Sequence, residues 1–185
     1  MFRELLQRRI STFCDLSSAQ LDQLEQHYEL MVRWNKVINL TRIEEVEEVA
    51  DRHYAESLFL GSKLPPGPLK IADIGSGAGF PGFPVAVLRP ECSVVLIESH
   101  KRKAVFLKEA ARIGSNISVL AQRAEEVTQT FDWLVSRAVS WEDLGKFALR
   151  LAPHYGLLSN VAPPGTTGIE VPWKVSRETF RVVLA

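Results

Sequence analysis

Residues 71–82 read IADIGSGAGFPG, and this stretch decides the fold of the chain. An apolar run ends in a turn that carries glycine at the alternate positions 75, 77 and 79. Glycine adopts positive φ without steric cost and has no Cβ, so the backbone can approach a ligand closely. Residues 83–88 can open a helix whose N-terminal amides attract a negative group. A strand, a glycine turn and a helix start are typical of the nucleotide-binding corner of a doubly wound α/β fold.

The glycine spacing separates two classes of ligand. A dinucleotide fingerprint requires Gly-x-Gly-x-x-Gly, and Phe80 occupies the place of its third glycine. The chain instead has Gly-x-Gly-x-Gly, with Asp73 two residues before the first glycine. This form resembles the first motif of class I S-adenosylmethionine (SAM) methyltransferases. A tight turn without a ligand is the alternative, and the flanking strand and helix favour the ligand-binding interpretation.

A second acid supports a ligand that contains ribose. Glu98 ends the apolar run 93–97 and follows Gly75 by 23 positions. An acid about 20 residues after the glycine turn, at the tip of the second strand, can accept hydrogen bonds from ribose hydroxyls. NAD and SAM both carry ribose, so Glu98 does not distinguish between them.

Composition and charge set bounds on the class of protein. A chain of 185 residues with 46% hydrophobic residues suits one domain with a small helical extension. The 22 basic residues offset 22 acidic ones, so net charge gives no sign of nucleic-acid binding. Residues 61–185 are mildly positive, with 15 basic and 11 acidic side chains, and their densest basic cluster lies at 100–103. Such a cluster is either a solvated helix face or part of a binding surface.

The cysteines and the apolar runs exclude several other classes. Cys14 and Cys92 form neither a Cys-x-x-Cys pair nor a disulfide framework, so no metal is expected. No apolar stretch approaches the ~20 residues of a membrane span. The first residues lack the apolar core of a signal peptide. We therefore expect a cytoplasmic protein that does not interact with membranes.

The sequence predicts helices before residue 64 and alternating strands and helices after it. Ser17 and Gln20 form a capping box that opens a helix ending near Asn39. Thr41 and Glu44 form a second box, predicting a helix to about residue 51, with a further helical piece over 52–60. The Pro- and Gly-rich segment 64–68 breaks the chain.

We accordingly expect residues 1–67 to form an N-terminal helical extension packed on the core, and 68–185 to form a SAM-binding methyltransferase domain. Successive βαβ units predict a mostly parallel, doubly wound (Rossmann-like) sheet. Residues 169–175 and 179–184 are expected to add an antiparallel edge. The other predicted strands are 69–74, 93–99, 117–122, 131–137 and 156–161, and the predicted helices are 81–89, 101–113, 124–129 and 141–152.

Two further strand ends should face the same crevice as Gly75. Residues 122–125 follow the third strand, where a backbone amide and a carboxylate can pair with an adenine edge; an ordinary helix N-terminus is the alternative. Arg137 ends the fourth strand, and buried arginine is rare unless it is paired. A ligand contact and a structural ion pair both remain open for Arg137.

Two motifs that the sequence lacks narrow the choice of methyl acceptor. Amino-directed methyltransferases place Asn/Asp-Pro-Pro-aromatic after the fourth strand, where this chain has Ser-Arg-Ala at 136–138. Carbon-5 cytosine methylation needs a nucleophilic cysteine, and neither cysteine lies at a predicted strand tip. Guanine N7 has a free lone pair and no proton to remove, so its methylation depends mainly on positioning.

Eight segments in order resemble the bacterial glucose-inhibited division protein B family, the 16S ribosomal RNA guanine-N7 methyltransferase G. The resemblance spans about residues 20–140, and its extended Gly-Ser-Gly-Ala-Gly-Phe-Pro-Gly form is more specific than Gly-x-Gly-x-Gly. The segments are 34–41, 52–53, 56–58, 73–84, 98–101, 106–107, 123–125 and 136–138.

The resemblance implies SAM as the cofactor and a guanine of 16S rRNA, free or in the small ribosomal subunit, as the acceptor. Separately from the resemblance, we expect the protein to act as a monomer. No catalytic residue is identified, and the positioning candidates are Arg137, Arg123 and His53, with Arg52 as a further candidate for RNA contact. The residues implied in SAM binding are Gly75, Gly77, Gly79, Phe80, Glu98 (on the ribose), Ala124, Glu125 and Arg137.

Two alternatives remain open. The family usually has Lys-Gly soon after the fifth strand and a basic tail, whereas this chain has Ser159 to Pro164 and no such tail. This difference motivates a non-catalytic rRNA-binding or assembly factor that retains the fold. Glu98 also fits an NAD-dependent oxidoreductase, although Phe80 in place of the third glycine speaks against it.

Overall fold

The computed structural model describes residues 1–137, 139–159, 163–166, 168–173 and 181–184. Ala138, the predicted strand end at 160–161 and the predicted strand segments 174–175 and 179–180 lie outside these residues. Within them the chain forms a seven-stranded sheet flanked by helices.

The sheet is mostly parallel, which confirms the doubly wound α/β prediction. Five strands pair in parallel in the order β3-β2-β1-β4-β5. The predicted antiparallel edge is also present, because β7 runs antiparallel to both β5 and β6. The strands are β1 Lys70–Ile74, β2 Ser93–Ile97, β3 Ile117–Leu120, β4 Trp133–Arg137, β5 His154–Ser159, β6 Gly168–Glu170 and β7 Arg181–Leu184.

Helices cover both faces of the sheet, and this explains why the central strands are buried along nearly their whole length. Ile71 and Leu96 face one apolar cluster, which also contains side chains of α1, α2, α4, α5 and α6. Ala72 and Ile74 face a second cluster, formed with α7 and α8. The helices are α1 Phe2–Ile10, α2 Ser18–Asn35, α3 Val46–Val49, α4 Glu56–Lys63, α5 Gly82–Leu88, α6 Lys101–Ala110, α7 Trp141–Leu144 and α8 Ala148–Leu151.

The first capping box was predicted correctly. Ser17 Oγ accepts a hydrogen bond from the Gln20 amide at 3.3 Å, and Gln20 Oε1 accepts one from the Ser17 amide at 2.9 Å. The Gln20 side chain also donates to the Val87 carbonyl at 2.8 Å. The start of α2 is therefore tied to the end of α5.

The second capping box was wrong. Thr41 Oγ1 accepts from the Ile43 amide at 3.1 Å and lies 2.8 Å from His53 Nε2. The Thr41 hydroxyl is thus used in a local turn, which competes with capping, and no helix begins directly after it. The helix begins at Val46 instead, and it continues through a π-helical segment, Ala50–Ala55, directly into α4.

Two predicted helices on the second face are shorter than expected. The helix predicted over 124–129 is only a 3₁₀ turn, Ala124–Glu126, because the next residue, the β-branched Val127, is extended and buried. The helix predicted over 141–152 is divided into α7 and α8 at Gly145 and Phe147. Glycine in a helix interior costs ~1 kcal/mol relative to alanine, which favours a break there.

The N-terminal helices share their core with the sheet. Phe2, Leu6 and Ile10 of α1 are buried in the same apolar cluster as Ile71 and Leu96. A bidentate ion pair joins Arg9 of α1 to Asp51 of the π-helical segment, with both nitrogen–oxygen distances at 2.6 Å. None of the helices in the described ranges is both long and apolar enough to cross a membrane.

Candidate functional site

The carboxyl ends of the parallel strands form a crevice. The sheet register places Ile74 of β1 beside Ile97 of β2 and Ser136 of β4. Gly75, Glu98 and Arg137 come next in the chain, so the three lie at adjacent strand ends. This is the topological switch point at which doubly wound folds bind ligands.

The glycine turn has the backbone conformation that its sequence predicts. Gly75, Gly77 and Gly79 have φ values of 69°, 56° and 91°. The amides of Gly75 and Ser76 both donate to the Ile97 carbonyl, at 3.0 and 3.2 Å. Gly75 is exposed at the crevice, so the turn presents backbone there. Gly79 is buried, and a Cβ on it would lie only 3.1 Å from His27 Nε2.

Asp73 ties the turn to the helix that follows it. Its side chain is fully buried, and Oδ2 accepts a hydrogen bond from the Gly82 amide at 2.9 Å. Burial raises the pKa of Asp73 to about 7. A Cβ on Gly82 would lie 2.5 Å from Leu96 Cδ2 and 2.6 Å from Asp73 Oδ2, so glycine is required for α5 to approach the sheet. Asp73 is therefore a structural link that does not face the crevice.

Glu98 is oriented by two backbone amides. Its Oε2 accepts from Gly77 at 2.9 Å and its Oε1 accepts from His100 at 2.7 Å. Two carboxylate oxygens offer about four acceptor positions. After two amide contacts, the carboxylate thus retains capacity for a pair of hydroxyl donors. Its contact with ribose stays a prediction.

A cleft of about 170 Å³ opens beside the exposed glycine. It brings Gly75 together with Arg123, Ala124 and Glu125, as the sequence predicted. Arg150 holds this segment, since its guanidinium donates to the Glu125 carbonyl at 2.9 Å and to the Val127 carbonyl at 2.6 Å. The other lining residues are Ile74, Ile97, Ser99, Gln122, Val139, Asp143 and Phe147.

Arg137 is paired within the protein. Its Nη1 lies 3.0 Å from Glu56 Oε2 and donates to the carbonyl of Arg52. The Arg137 and Glu56 side chains are 9% and 1% exposed. Burial raises the pKa of Glu56 to about 7, although Arg137 and Arg52 act in the opposite direction, and burial lowers the pKa of Arg137. The ion pair is thus observed, and a SAM contact by Arg137 stays a prediction.

His53 and Phe80 lie behind the glycine turn. Their rings stack with centroids 4.6 Å apart and an interplanar angle of 10°, and Phe80 is only 5% exposed. Burial, and then the charges of Arg137 and Arg52, lower the pKa of His53 well below its ordinary value. His53 is therefore neutral at physiological pH.

The predicted site residues fall into three groups in the structure. Gly75, Arg123, Ala124 and Glu125 line the cleft. Gly77 and Glu98 are joined to each other by a hydrogen bond where the glycine turn meets the end of β2. The remaining predicted residues, Gly79, Phe80, His53 and Arg137, lie on the side of the turn that packs on the helices. The cleft therefore brings together only part of the predicted set.

Sequence reasoning missed His27, which supports the turn from α2. Its ring stacks on Phe83 at 4.0 Å, and its Nδ1 lies 2.7 Å from the Tyr54 hydroxyl. Burial lowers the pKa of His27 to about 3, so the ring is neutral. The available signal was its position between Leu24 and Met31 on the apolar stripe of α2. A histidine at such a position has to be satisfied inside the core.

Cavities elsewhere are larger but lie away from the strand ends. One of about 290 Å³ is lined by α1 residues and Trp173, and one of about 190 Å³ by residues of α2 and the loop after it. In the described ranges, no group of three or more histidine, cysteine or acidic side chains is arranged to hold a metal ion.

The family model and the similar proteins point to the same family. The family model described as "GidB: rRNA small subunit methyltransferase G" matches residues 20–159. A ribosomal RNA small subunit methyltransferase G from Nitrosospira multiformis is 43% identical over 136 residues, covering 71% of this chain and 61% of that protein. One from Dehalococcoides mccartyi is 36% identical over 163 residues, covering 84% and 68%.

The chain spans only part of some relatives. It covers 61% of the Nitrosospira protein and 56% of the relative from Desulforamulus reducens.

Solved structures support the fold. Magnesium protoporphyrin IX methyltransferase from Synechocystis, determined with bound SAM, matches with a TM-score of 0.58 at 12% identity, covering 92% of this chain and 98% of that one. The tRNA methyltransferase TrmK of B. subtilis matches with a TM-score of 0.55 at 18% identity, covering 69% and 63%. At these identities the similarity establishes the architecture only.

Proposed function

The chain belongs to the rRNA small subunit methyltransferase G family, and from this premise we propose that it methylates N7 of a guanine in 16S rRNA with SAM as the methyl donor. The observation that carries the proposal is the crevice itself. An exposed left-handed glycine, an oriented carboxylate and a cleft lined by the 122–125 segment meet at the carboxyl ends of β1, β2 and β3.

These residues fit a nucleoside with a charged tail. Gly75 presents exposed backbone at positive φ, where a side chain would approach Val139 to 3.1 Å. Glu98 would hold the ribose hydroxyls, and Ala124 and Glu125 would border the adenine. When bound, SAM supplies a methyl group on a sulfonium that is activated for nucleophilic attack.

The acceptor places few chemical demands on the protein. Guanine N7 attacks through its own lone pair, so no general base is required and positioning dominates the rate. This fits a site whose histidine, His53, is neutral, buried and stacked on Phe80. We propose Arg123, which is exposed at the cleft, and Arg137 as residues that position the target.

The RNA partner must present an unstacked base. Sequence-specific RNA recognition targets loops whose bases can be turned outward, and enzymes that modify bases act on extruded nucleotides. Lys101 and Arg102 at the start of α6 are exposed beside the crevice and can contact phosphates. We propose that the protein works as a monomer in the cytoplasm, on small-subunit rRNA or the small ribosomal subunit.

The two alternatives are not favoured. An NAD-dependent oxidoreductase has no support from the family, and Phe80 fills the position at which a dinucleotide fingerprint has its third glycine. The non-catalytic alternative depends on segment 159–164, which differs from the usual family sequence, and residues 160–162 of that segment lie outside the described ranges.

The test is methyl transfer to RNA that lacks the modification. Wild-type protein and radiolabelled SAM are incubated with 16S rRNA and with small subunits from a strain without the mark, and the modified nucleotide is mapped. We expect one N7-methylguanine. The variant Glu98→Gln should lower SAM affinity by about ten-fold, whereas Glu91→Gln, which alters an acid bonded to Arg89 at the end of α5, should not. RNA binding and SAM binding without transfer would select the non-catalytic alternative.

A further inference from the structure

A buried ion pair lies next to the crevice and joins the helical segment to the sheet. Arg137 stands at the end of β4, in the position after Ser136, which pairs with Ile74. It is therefore a lateral neighbour of Gly75. Its guanidinium turns away from solvent and meets Glu56 at 3.0 Å.

The π-helical segment Ala50–Ala55 completes this contact. A π-turn is an irregularity that breaks the regular α-helical hydrogen-bond pattern and frequently occurs at functional sites. Here it precedes Glu56 directly, and the Arg52 carbonyl within it accepts a hydrogen bond from Arg137. The Arg137 guanidinium thus contacts the Glu56 carboxylate and the Arg52 carbonyl, which lie on consecutive turns of the same helical run.

The charge balance of the crevice gives this pair a consequence for catalysis. SAM carries a positive sulfonium, and guanine becomes positively charged when N7 is methylated. An unpaired guanidinium in a poorly solvated site would repel both cations. With ionised Glu56 beside it, Arg137 contributes almost no net charge.

We propose that Glu56 is a positioning and charge-compensating residue, which holds Arg137 next to the crevice and neutralises it so that the site accepts a cationic methyl donor. This inference rests on the proposed function. It assigns a role to an acid on α4 that is not among the residues lining the cleft.

The protonation of Glu56 makes the proposal sensitive to pH. Burial raises the pKa of Glu56 to about 7. The charged groups acting on it are Arg137 from β4 and, from the π-helical segment, Arg52 and Asp51. His53 adjoins both arginines but is neutral, because its pKa is well below the ordinary value. Falling pH therefore neutralises Glu56 and leaves Arg137 charged, which should weaken SAM binding.

The test compares SAM with S-adenosylhomocysteine, which has the same nucleoside and amino-acid groups but an uncharged sulfur. Calorimetry at about pH 8 is performed on the wild type, Glu56→Gln and the doubly neutral Glu56→Gln/Arg137→Gln protein. We expect Glu56→Gln to raise the Kd of SAM about ten-fold and that of S-adenosylhomocysteine less than about two-fold. The double variant should restore the wild-type ratio of the two constants. Glu91→Gln, which removes the charge from another Glu–Arg pair, should leave the ratio unchanged.

Other outcomes are equally decisive. Equal loss of affinity for both ligands, or no change for either, would overturn the charge-compensating role. If Glu56→Gln does not fold, the wild-type ratio measured at about pH 8 and about pH 6 decides, since only SAM should weaken at the lower pH. If the wild type binds SAM but the ratio of the two dissociation constants does not change with pH, only this inference is overturned. A wild type that binds no SAM overturns the proposed function as well.

Discussion

At the level of single residues, Asp73 holds the start of α5 against β1 through its bond to the Gly82 amide. The two residues depend on each other, because the missing side chain of Gly82 makes room for the carboxylate. Packing thus explains Asp73, the acid that precedes the glycine turn. Glu98 is equally polar in the sequence, but the amides of Gly77 and His100 orient its carboxylate.

The buried Asp73 should make stability depend on pH. Its folded pKa of about 7 exceeds its ordinary value of 3.8, so the folded state binds this proton more tightly. The stability it contributes is present at low pH and is lost as pH rises from about 4 to about 7. Asp73→Asn keeps an acceptor for Gly82 and cannot ionise. Between about pH 5 and pH 8, the free energy of unfolding of this variant relative to wild type should rise by about 3 kcal/mol.

Urea unfolding at the two pH values measures this difference. The Asn amide nitrogen would replace Oδ1, which has no hydrogen-bond partner among the described residues, and this adds a pH-independent cost. Asp15→Asn, at an exposed position, serves as the control. The same stability difference for Asp73→Asn at both pH values would contradict the expectation.

At the level of elements, hydrogen bonds local to the sequence set the start of α2 but not the start of α3. Ser17 has its partner three residues on and uses it. Thr41 has an equivalent partner in Glu44, but its hydroxyl bonds the Ile43 amide and contacts His53, 12 residues away in the sequence. A tertiary contact decided between two turns that the local sequence allows equally.

Removal of the cap should destabilise the protein measurably. Ser17→Ala removes the acceptor of the Gln20 amide and should lower the free energy of unfolding by about 1 kcal/mol. Ser11→Ala is the matched control, because the Ser11 hydroxyl is exposed and donates only to the Arg8 carbonyl after α1 has ended. Chemical denaturation measures both variants, and equal effects would show that the capping box contributes nothing specific.

At the level of the whole molecule, the helical segment and the sheet are joined by packing. Leu6 of α1 is fully buried in the cluster that contains Ile71 and Leu96. The support of the glycine turn by His27 and the pairing of Arg137 with Glu56 cross the same boundary. We propose that residues 1–67 and 68–185 are distinct in sequence pattern and unfold together.

A substitution in α1 should therefore weaken the sheet. Leu6→Ala leaves a cavity in the shared core and should cost about 2–5 kcal/mol. If unfolding is cooperative, the free energy of opening that hydrogen exchange reports for the β1 amides should fall by the same amount. Leu149→Ala, at a position that is 66% exposed, should change neither quantity. Unchanged protection of β1 in Leu6→Ala would show that the two segments unfold separately.

Part of the site followed from sequence because the elements that form it are local. The glycine turn, the strand before it and Glu98 at the next strand end are fixed by short-range backbone sterics and by apolar periodicity. The alternation of strands and helices also predicted a parallel sheet and placed Arg137 at the end of the fourth strand. It failed at 124–129 and 141–152, where β-branched residues and a glycine lowered helix propensity below what burial could offset.

By itself, the sequence determined the α/β class and the residues at the strand ends, since both follow from apolar runs and turns of a few residues, and the crevice follows because parallel strands end at one edge of the sheet. Only the tertiary structure decided which of those residues face the cleft and which are paired inside. The contacts of Glu56 with Arg137, of His27 with Tyr54 and of Thr41 with His53 join residues that are distant in the chain. Such contacts exist only after burial removes water as the competing partner, and no local pattern records them.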